Sequence, residues 1–306
     1  IVEDSAGNLI VGEGNLGFVK ILTADNTVDR TFAAGNRNFR GSATDTCTLD
    51  GTNNSIVKTI NNLGLATNVK GVSGDVIYGA DLGSNNGKIV GINTSGKCIE
   101  VITYAELGGF RPMAMEVRTI NGNDHLFASG RWWGVNDWRK YFYTKNLTTG
   151  DSLTCGSNYG GSLGTVIQSG IRLTVDNSGG FVYYNYQGHI HGYALTKTGN
   201  NYCPSDTGRD KYYAQGNSNT SHRKATAIQV SPDSDSTIYV TSFDHGVVQK
   251  VSLTGDNTLT SVTLAGRKIN AENTASAGAL SAAEVNLWGP KALFVTSTKV
   301  WVSDNK

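Results

Sequence analysis

Proline occurs only four times in 306 residues, and charged residues make up only 17% of the chain. Apolar runs nevertheless recur from end to end, which excludes a disordered polymer. The formal net charge is +1. No basic run or stripe stands out, so the electrostatic footprint of a nucleic-acid partner is missing. No apolar run approaches the roughly 18 residues of a membrane helix, and no membrane span is expected. The sequence has no G-x-S-x-G elbow, no H-E-x-x-H, no P-loop and no EF-hand loop. Its four cysteines, Cys47, Cys98, Cys155 and Cys203, form no C-x-x-C pair, so a zinc knuckle is not expected. The first residue is Ile1 rather than Met, as in a processed product, an excised domain or a fragment.

What is abundant is glycine, at 38 residues, together with Thr, Ser and Asn. This is the composition of strands and turns. The stretch from Ala225 to Gly266 displays it best: ATAIQVSP, TIYVTSF, VVQKVSL and TLTSVTLAG are separated by DSDS, DHG and TGDN. Runs of Val, Ile, Thr and Tyr closed by Gly, Asp, Asn or Ser are strands joined by tight turns. Four such strands in about 40 residues make one up-and-down antiparallel sheet, the blade of a β-propeller.

The rhythm recurs. Second strands read LIVG, VIYG, LFAS, VYYN, IYVT and VWVS, ending on Gly12, Gly79, Ser129, Asn185, Thr241 and Ser303. Residues 36–61 and 267–287 interrupt the rhythm as long inter-blade excursions, the second Ala-rich enough for a helical turn. The fold expected is all-β: one domain over 1–306, a β-propeller of about six four-stranded blades whose last blade is incomplete. A sandwich or a β-helix is the alternative. A lone four-stranded sheet leaves two apolar faces open, and radial packing buries them. Ile10, Tyr78, Phe127, Tyr183 and Tyr239 are the expected inter-blade core.

GPKALFVTSTKVWVSDNK at the end resembles an NHL-type propeller repeat, and DSAGNLIVGEG and VDNSGGFVYY match that family's Asp-x-x-Gly hairpin. The resemblance is short in each unit and implies the fold more than the function. VSPDSDSTIYVTSFD is similar to lactonase-like six-bladed propellers, whose Asp after such a strand binds a divalent cation. Asp244 falls slightly later than that pattern and lacks evident partner ligands, so no metal or cofactor is expected.

In a propeller, the loops from second to third strands gather at one axial face. Register assigns to it Glu13, Asp81, Arg131, Trp132, Trp133, Trp138, Tyr186, His189, Asp244 and His245, the candidate ligand-binding residues. Asp, Asn and Gly in such loops also act simply as turn formers. The loop Arg131–Arg139 is distinctive, with three Trp among Gly, Asn and Asp. Flat aromatic faces suit sugar rings, while Arg and Asp bond hydroxyls. Folding of this loop over its own blade is the alternative. His189 and His191 alternate as a metal pair would, but two ligands do not make a site. His245 beside Asp244 is a candidate general base.

The even cysteine count predicts at least one disulfide, with three pairings open, tying a loop or an outer strand. Sequons stand at Asn53, Asn93, Asn146 and Asn219. The reading is a secreted or extracellular binding or assembly module, glycosylated and disulfide-bonded. Its expected partners are a glycan, another extracellular polymer or protein, or copies of itself. A lyase or hydrolase acting at the axial face is the alternative, and a structural subunit of an extracellular assembly the second; no catalytic residue is assigned.

Overall fold

The structure is a computed structural model, and it describes residues 1–13, 17–29, 65–68, 76–81, 88–94, 98–131, 140–155, 173–186, 189–205, 211–213, 225–242, 246–255, 258–266 and 287–304. It is all-β, a propeller-like series of small antiparallel sheets. The first sheet holds β1 (Val2–Glu3), β2 (Leu9–Glu13), β3 (Gly17–Leu22) and β4 (Thr27–Val28). The second holds β5 (Leu65–Asn68), β6 (Val76–Asp81), β7 (Lys88–Asn93) and β8 (Cys98–Ile102). The third holds β9 (Arg111–Ile120), β10 (Asn123–Arg131), β11 (Lys140–Asn146) and β12 (Ser152–Cys155). The fourth holds β13 (Leu173–Val175), β14 (Phe181–Tyr186), β15 (His189–Thr198) and β16 (Asn201–Pro204), with β17 (Lys211–Tyr213) also on β15. The fifth holds β18 (Ala225–Ser231), β19 (Ser234–Ser242), β20 (Val247–Gly255) and β21 (Thr258–Ala265). Last comes a two-stranded sheet, β22 (Pro290–Val295) and β23 (Val300–Asp304).

Apart from β17, which pairs with β15, the described strands within each sheet pair with their sequence neighbours, as the turn spacing predicts. The structure counts five sheets of four strands or more; among the described residues the sixth unit supplies only β22 and β23. Gly12, Gly79, Ser129, Asn185, Thr241 and Ser303 all fall on second strands. The two excursions, apart from Leu287, lie outside the described residues.

Turn chemistry explains the hairpins. Asp4 closes the β1–β2 turn: its Oδ1 accepts the N–H of Ala6 at 3.1 Å and of Asn8 at 2.8 Å. Gly7, at φ 82°, takes the left-handed position that a side chain disfavours. Asp176 repeats the device between β13 and β14, accepting the N–H of Gly180 at 2.7 Å, with Gly179 at φ 71°. Both Asp-x-x-Gly motifs are therefore turn closures. Asn121 and Gly122, both at positive φ, make the two-residue connection of β9 to β10.

The chain divides into two compact units, Ile1–Gly160 with Lys197–Cys203, and Gly161–Thr196 with Pro204–Lys306. In the first unit, β9 packs against β5, β6 and β7, and Tyr78, Ile89, Phe110, Leu126 and Tyr143 build a core between the second and third sheets. Tyr78 donates to Glu100 at 2.9 Å, and Lys145 pairs with the other oxygen of that carboxylate, so the rim of this core is tied by charge. In the second unit, Tyr183, Ile190, Val230, Ile238 and Val251 form one core, and Ala227, Val248, Leu293 and Val295 another against β22. Ile10, Tyr78, Phe127 and Tyr183 are buried as expected, whereas Tyr239 is half-buried at the edge of its cluster.

The segment Lys197–Cys203 is a clasp on the third sheet. Tyr202 meets His125 edge-on at 5.1 Å between ring centres. Asn200 donates to Asp151 at 2.7 Å, and Cys155 and Cys203 are joined as a disulfide with Cα atoms 5.6 Å apart. The sequence predicts at least one disulfide at a loop or an outer strand, and this one joins two outer strands, β12 and β16.

Candidate functional site

The second-to-third connections are where the sequence assigns the ligand-binding groups, and the register supports the equivalence of their positions. Glu13 ends β2 opposite Gly17, Asp81 ends β6 opposite Lys88, and Arg131 ends β10 opposite Lys140. These three belong to the first unit. In the second unit Tyr186 ends β14 opposite His189, and Ser242 ends β19 opposite Val247. For Glu13, Asp81, Arg131, Tyr186 and His189 the backbone alone is described. Trp132, Trp133, Trp138, Asp244 and His245 lie outside the described residues. His191 is buried within β15, which fits a core histidine better than half of an open metal pair. Among the described residues no three His, Cys, Asp or Glu side chains gather as a cation site.

The backbone at these strand ends is specialised in a way that periodicity does not reveal. The first strand carries an extra residue opposite the end of the second in three sheets. In the third sheet Met113 is skipped between the pairs Ser129–Ala114 and Gly130–Pro112. Thr226 is skipped on β18 and Lys291 on β22. Such bulges bend a strand and re-aim the adjoining chain. In the third sheet the bulge lies at the base of the Trp132–Trp138 loop. Gly130 is obligatory there, because a Cβ would lie 1.8 Å from the carbonyl oxygen of Arg111. In the fifth sheet Gly246, just after Asp244 and His245, lies against Gly266, where a Cβ would meet the Gly246 carbonyl at 2.0 Å. Glycine at or beside a strand end was the available signal for these sites.

Asp304, at the equivalent end of β23, accepts the backbone N–H of Trp288 at 2.8 Å and of Gly289 at 2.6 Å. Its carboxylate thus ties the entry to β22 to the end of β23, and the Trp288 side chain is exposed. Asn146, the first residue of one sequon, is buried: its Oδ1 accepts the N–H of Thr148 at 2.9 Å and of Thr149 at 3.0 Å, and its amide donates to the Asn200 carbonyl. That side chain is committed to the fold. Asn53 and Asn219 lie outside the described residues.

No protein-family model matches the chain, and no curated protein is similar to it in sequence. Solved structures do share its fold. An auxiliary nutrient-binding protein from Bacteroides thetaiotaomicron aligns with 97% of this chain and 63% of its own length, at 12% identity and a TM-score of 0.53. The fold is propeller-like. A periplasmic gluconolactonase of Pseudomonas aeruginosa aligns with 97% of this chain and 76% of its own, at 12% identity and TM-score 0.47. The Swd1 β-propeller domain of Myceliophteria thermophila aligns with 82% of this chain, at 12% identity and TM-score 0.46. This chain spans 63% of the length of that propeller structure. The likeness is one of fold, and the resemblance to NHL repeats stays at the level of short motifs.

Proposed function

We propose that this chain is a propeller binding module that takes a glycan or another extracellular polymer on its second-to-third loops, with Trp132, Trp133 and Trp138 as the stacking platform. The carrying observation is the bulged end of the third sheet. Arg131 and Lys140 close the ladder there, so the tryptophan loop springs from the same strand position that carries Glu13 and Asp81 in the sheets before it. Aromatic rings flanked by charged and amide groups suit sugar rings and their hydroxyls. The disulfide is in keeping with a secreted or extracellular protein. In this reading residues 1–306 are one propeller and β22–β23 belong to its sixth blade. Tyr186, His189, Asp244 and His245 are the candidate ligand groups of the second unit in this reading.

The test is retention on a panel of immobilised polysaccharides. Replacing Trp132 and Trp133 by Ala is expected to abolish retention while the circular dichroism spectrum and melting temperature stay unchanged. Equal retention by wild type and variant would overturn the proposal. Release of shortened chains from the polymer would instead reveal a lyase or hydrolase.

A further inference from the structure

We infer that Trp288 is a sugar-stacking residue, a subsite of the second unit that is separate from the Arg131–Arg139 loop. The class of ligand rests on the glycan reading above, and the subsite rests on how this residue is held. Trp288 is 39% exposed, while its neighbours Leu287, Gly289 and Pro290 are all buried. Single exposed apolar side chains are common on proteins. This one is set apart by the frame that keeps it outside.

The chain is fixed on both sides of the indole. Trp288 and Gly289 both donate their backbone N–H to the Asp304 carboxylate, at 2.8 and 2.6 Å, one to each oxygen. Pro290 pairs with Asp304 as β22 begins. On the other side Leu287 packs with Ala227, Val248 and Leu293. Its Cδ1 lies 3.1 Å from the place of a Cβ on Gly266, which itself crowds the Gly246 carbonyl. The chain thus enters β22 with Leu287 inward and the larger apolar side chain in water. Trp301, on β23 of the same sheet, gives the contrast: it is half-buried, and Lys299 Nζ stands 5.3 Å from its ring centre.

The placement matches a ligand site. Asp304 ends β23 as Arg131 ends β10, so Trp288 is tied to the strand end from which the tryptophan loop springs in the third sheet. Trp288 also follows directly on a residue packed at Gly246, which comes just after Asp244 and His245. A ring on a fixed backbone loses little freedom when a ligand binds. An indole face suits the C–H face of a pyranose ring, and the indole N–H is a donor for a hydroxyl.

Fluorotryptophan incorporation gives one fluorine NMR resonance for each of the five tryptophans, and Trp288→Phe identifies that of Trp288. The probes are soluble oligosaccharides cut from the polysaccharide panel, added at millimolar concentration. The Trp288 resonance is expected to shift with at least one of them, and to shift also in the Trp132→Ala/Trp133→Ala variant, while that of Trp301 stays in place. In that variant Trp288→Ala should weaken binding about two- to tenfold by calorimetry and Trp288→Tyr less, with the melting temperature unchanged in both. The inference is overturned by a Trp288 resonance that no oligosaccharide moves, or by a shift that disappears with the loop tryptophans. A Trp301 shift of equal size also overturns it, because it marks a change throughout the sheet. Retention on the immobilised panel tests the loop tryptophans alone, so either subsite can fail without the other.

Discussion

Gly130 lies so close to Arg111 that a Cβ on it would sit 1.8 Å from the Arg111 carbonyl oxygen. No rotamer relieves that clash, because both partners are backbone. Gly130→Ala must displace β9 or β10 at the base of the tryptophan loop. Gly122 gives the comparison: it sits at φ 78° with nothing within 4 Å of its would-be Cβ. Gly122→Ala should cost about 1–2 kcal/mol, the strain of a left-handed residue. Gly130→Ala should cost more, measured by chemical denaturation. A smaller loss at Gly130 would mean that the bulge yields freely.

The clasp should be worth more than any single hydrogen bond. Cys155 and Cys203 are 48 residues apart in sequence, and a crosslink of that span typically contributes about 2–4 kcal/mol. Replacing both by Ser should lower the melting temperature by several degrees and leave the sheets intact by circular dichroism. With four cysteines in the chain, the unfolded, unreduced protein should titrate no more than two thiols. Four titrated thiols would rule the crosslink out.

The sheets were legible because strand and turn are written locally. Asn121–Gly122, Asp4 to Gly7 and Asp176 to Gly179 each specify a hairpin within a few residues, and second strands repeat their pattern. Partners across sheets were not legible. Nothing near Asn177 says that its N–H meets Asp235 at 2.6 Å, or that Gln229 exchanges bonds with Val295. The clasp escaped for the same reason: an even cysteine count permits a bridge, but only the geometry selects Cys203 for Cys155. At the strand ends to which the sequence assigns the candidate groups, the bulges in three sheets came only from pairing.

Acid should loosen the clasp from within. His125 is buried beside Phe127 and Tyr202, and its Nδ1 has no hydrogen-bond partner. Burial holds the imidazole below its usual pKa; Asp124 opposes this and Lys197 adds to it. A neutral group of this kind contributes stability that is complete above about pH 6.5 and is lost as the pH falls through the folded value. His125→Phe keeps the ring packing and removes the titration. The variant should gain on wild type between about pH 7 and about pH 5 in urea melts. Parallel pH profiles would show that His125 titrates alike in the folded and unfolded chains.

The two Asp-x-x-Gly turns make the sharpest pair, because one sequence device sits in opposite electrostatic surroundings. Both carboxylates are buried. Burial alone would raise the pKa of Asp4, but the Lys20 ammonium at 3.0 Å and bonds from Asn8 hold it below the usual value. For Asp176 no such cation among the described residues offsets the rise: burial lifts its pKa, and the nearby Asp235 charge adds to the lift. Asp235 is fixed in place by the backbone N–H groups of Asn177 and Ser178. The signs then differ. The stability given by Asp4 is present above the ordinary value of 3.8 and is lost as the pH falls through the folded value. Asp176 costs stability as the pH rises from 3.8 through its raised value, because the folded state prefers the protonated form. Asp4→Asn should therefore destabilise at neutral pH, by about 1–3 kcal/mol, since it strands the buried Lys20 ammonium. Asp176→Asn keeps an oxygen for the Gly180 N–H and removes a charge facing another, so it should raise the melting temperature at neutral pH. Near pH 3 both differences should shrink. If both substitutions shift the neutral melting temperature in the same direction, Lys20 is not what separates the two turns.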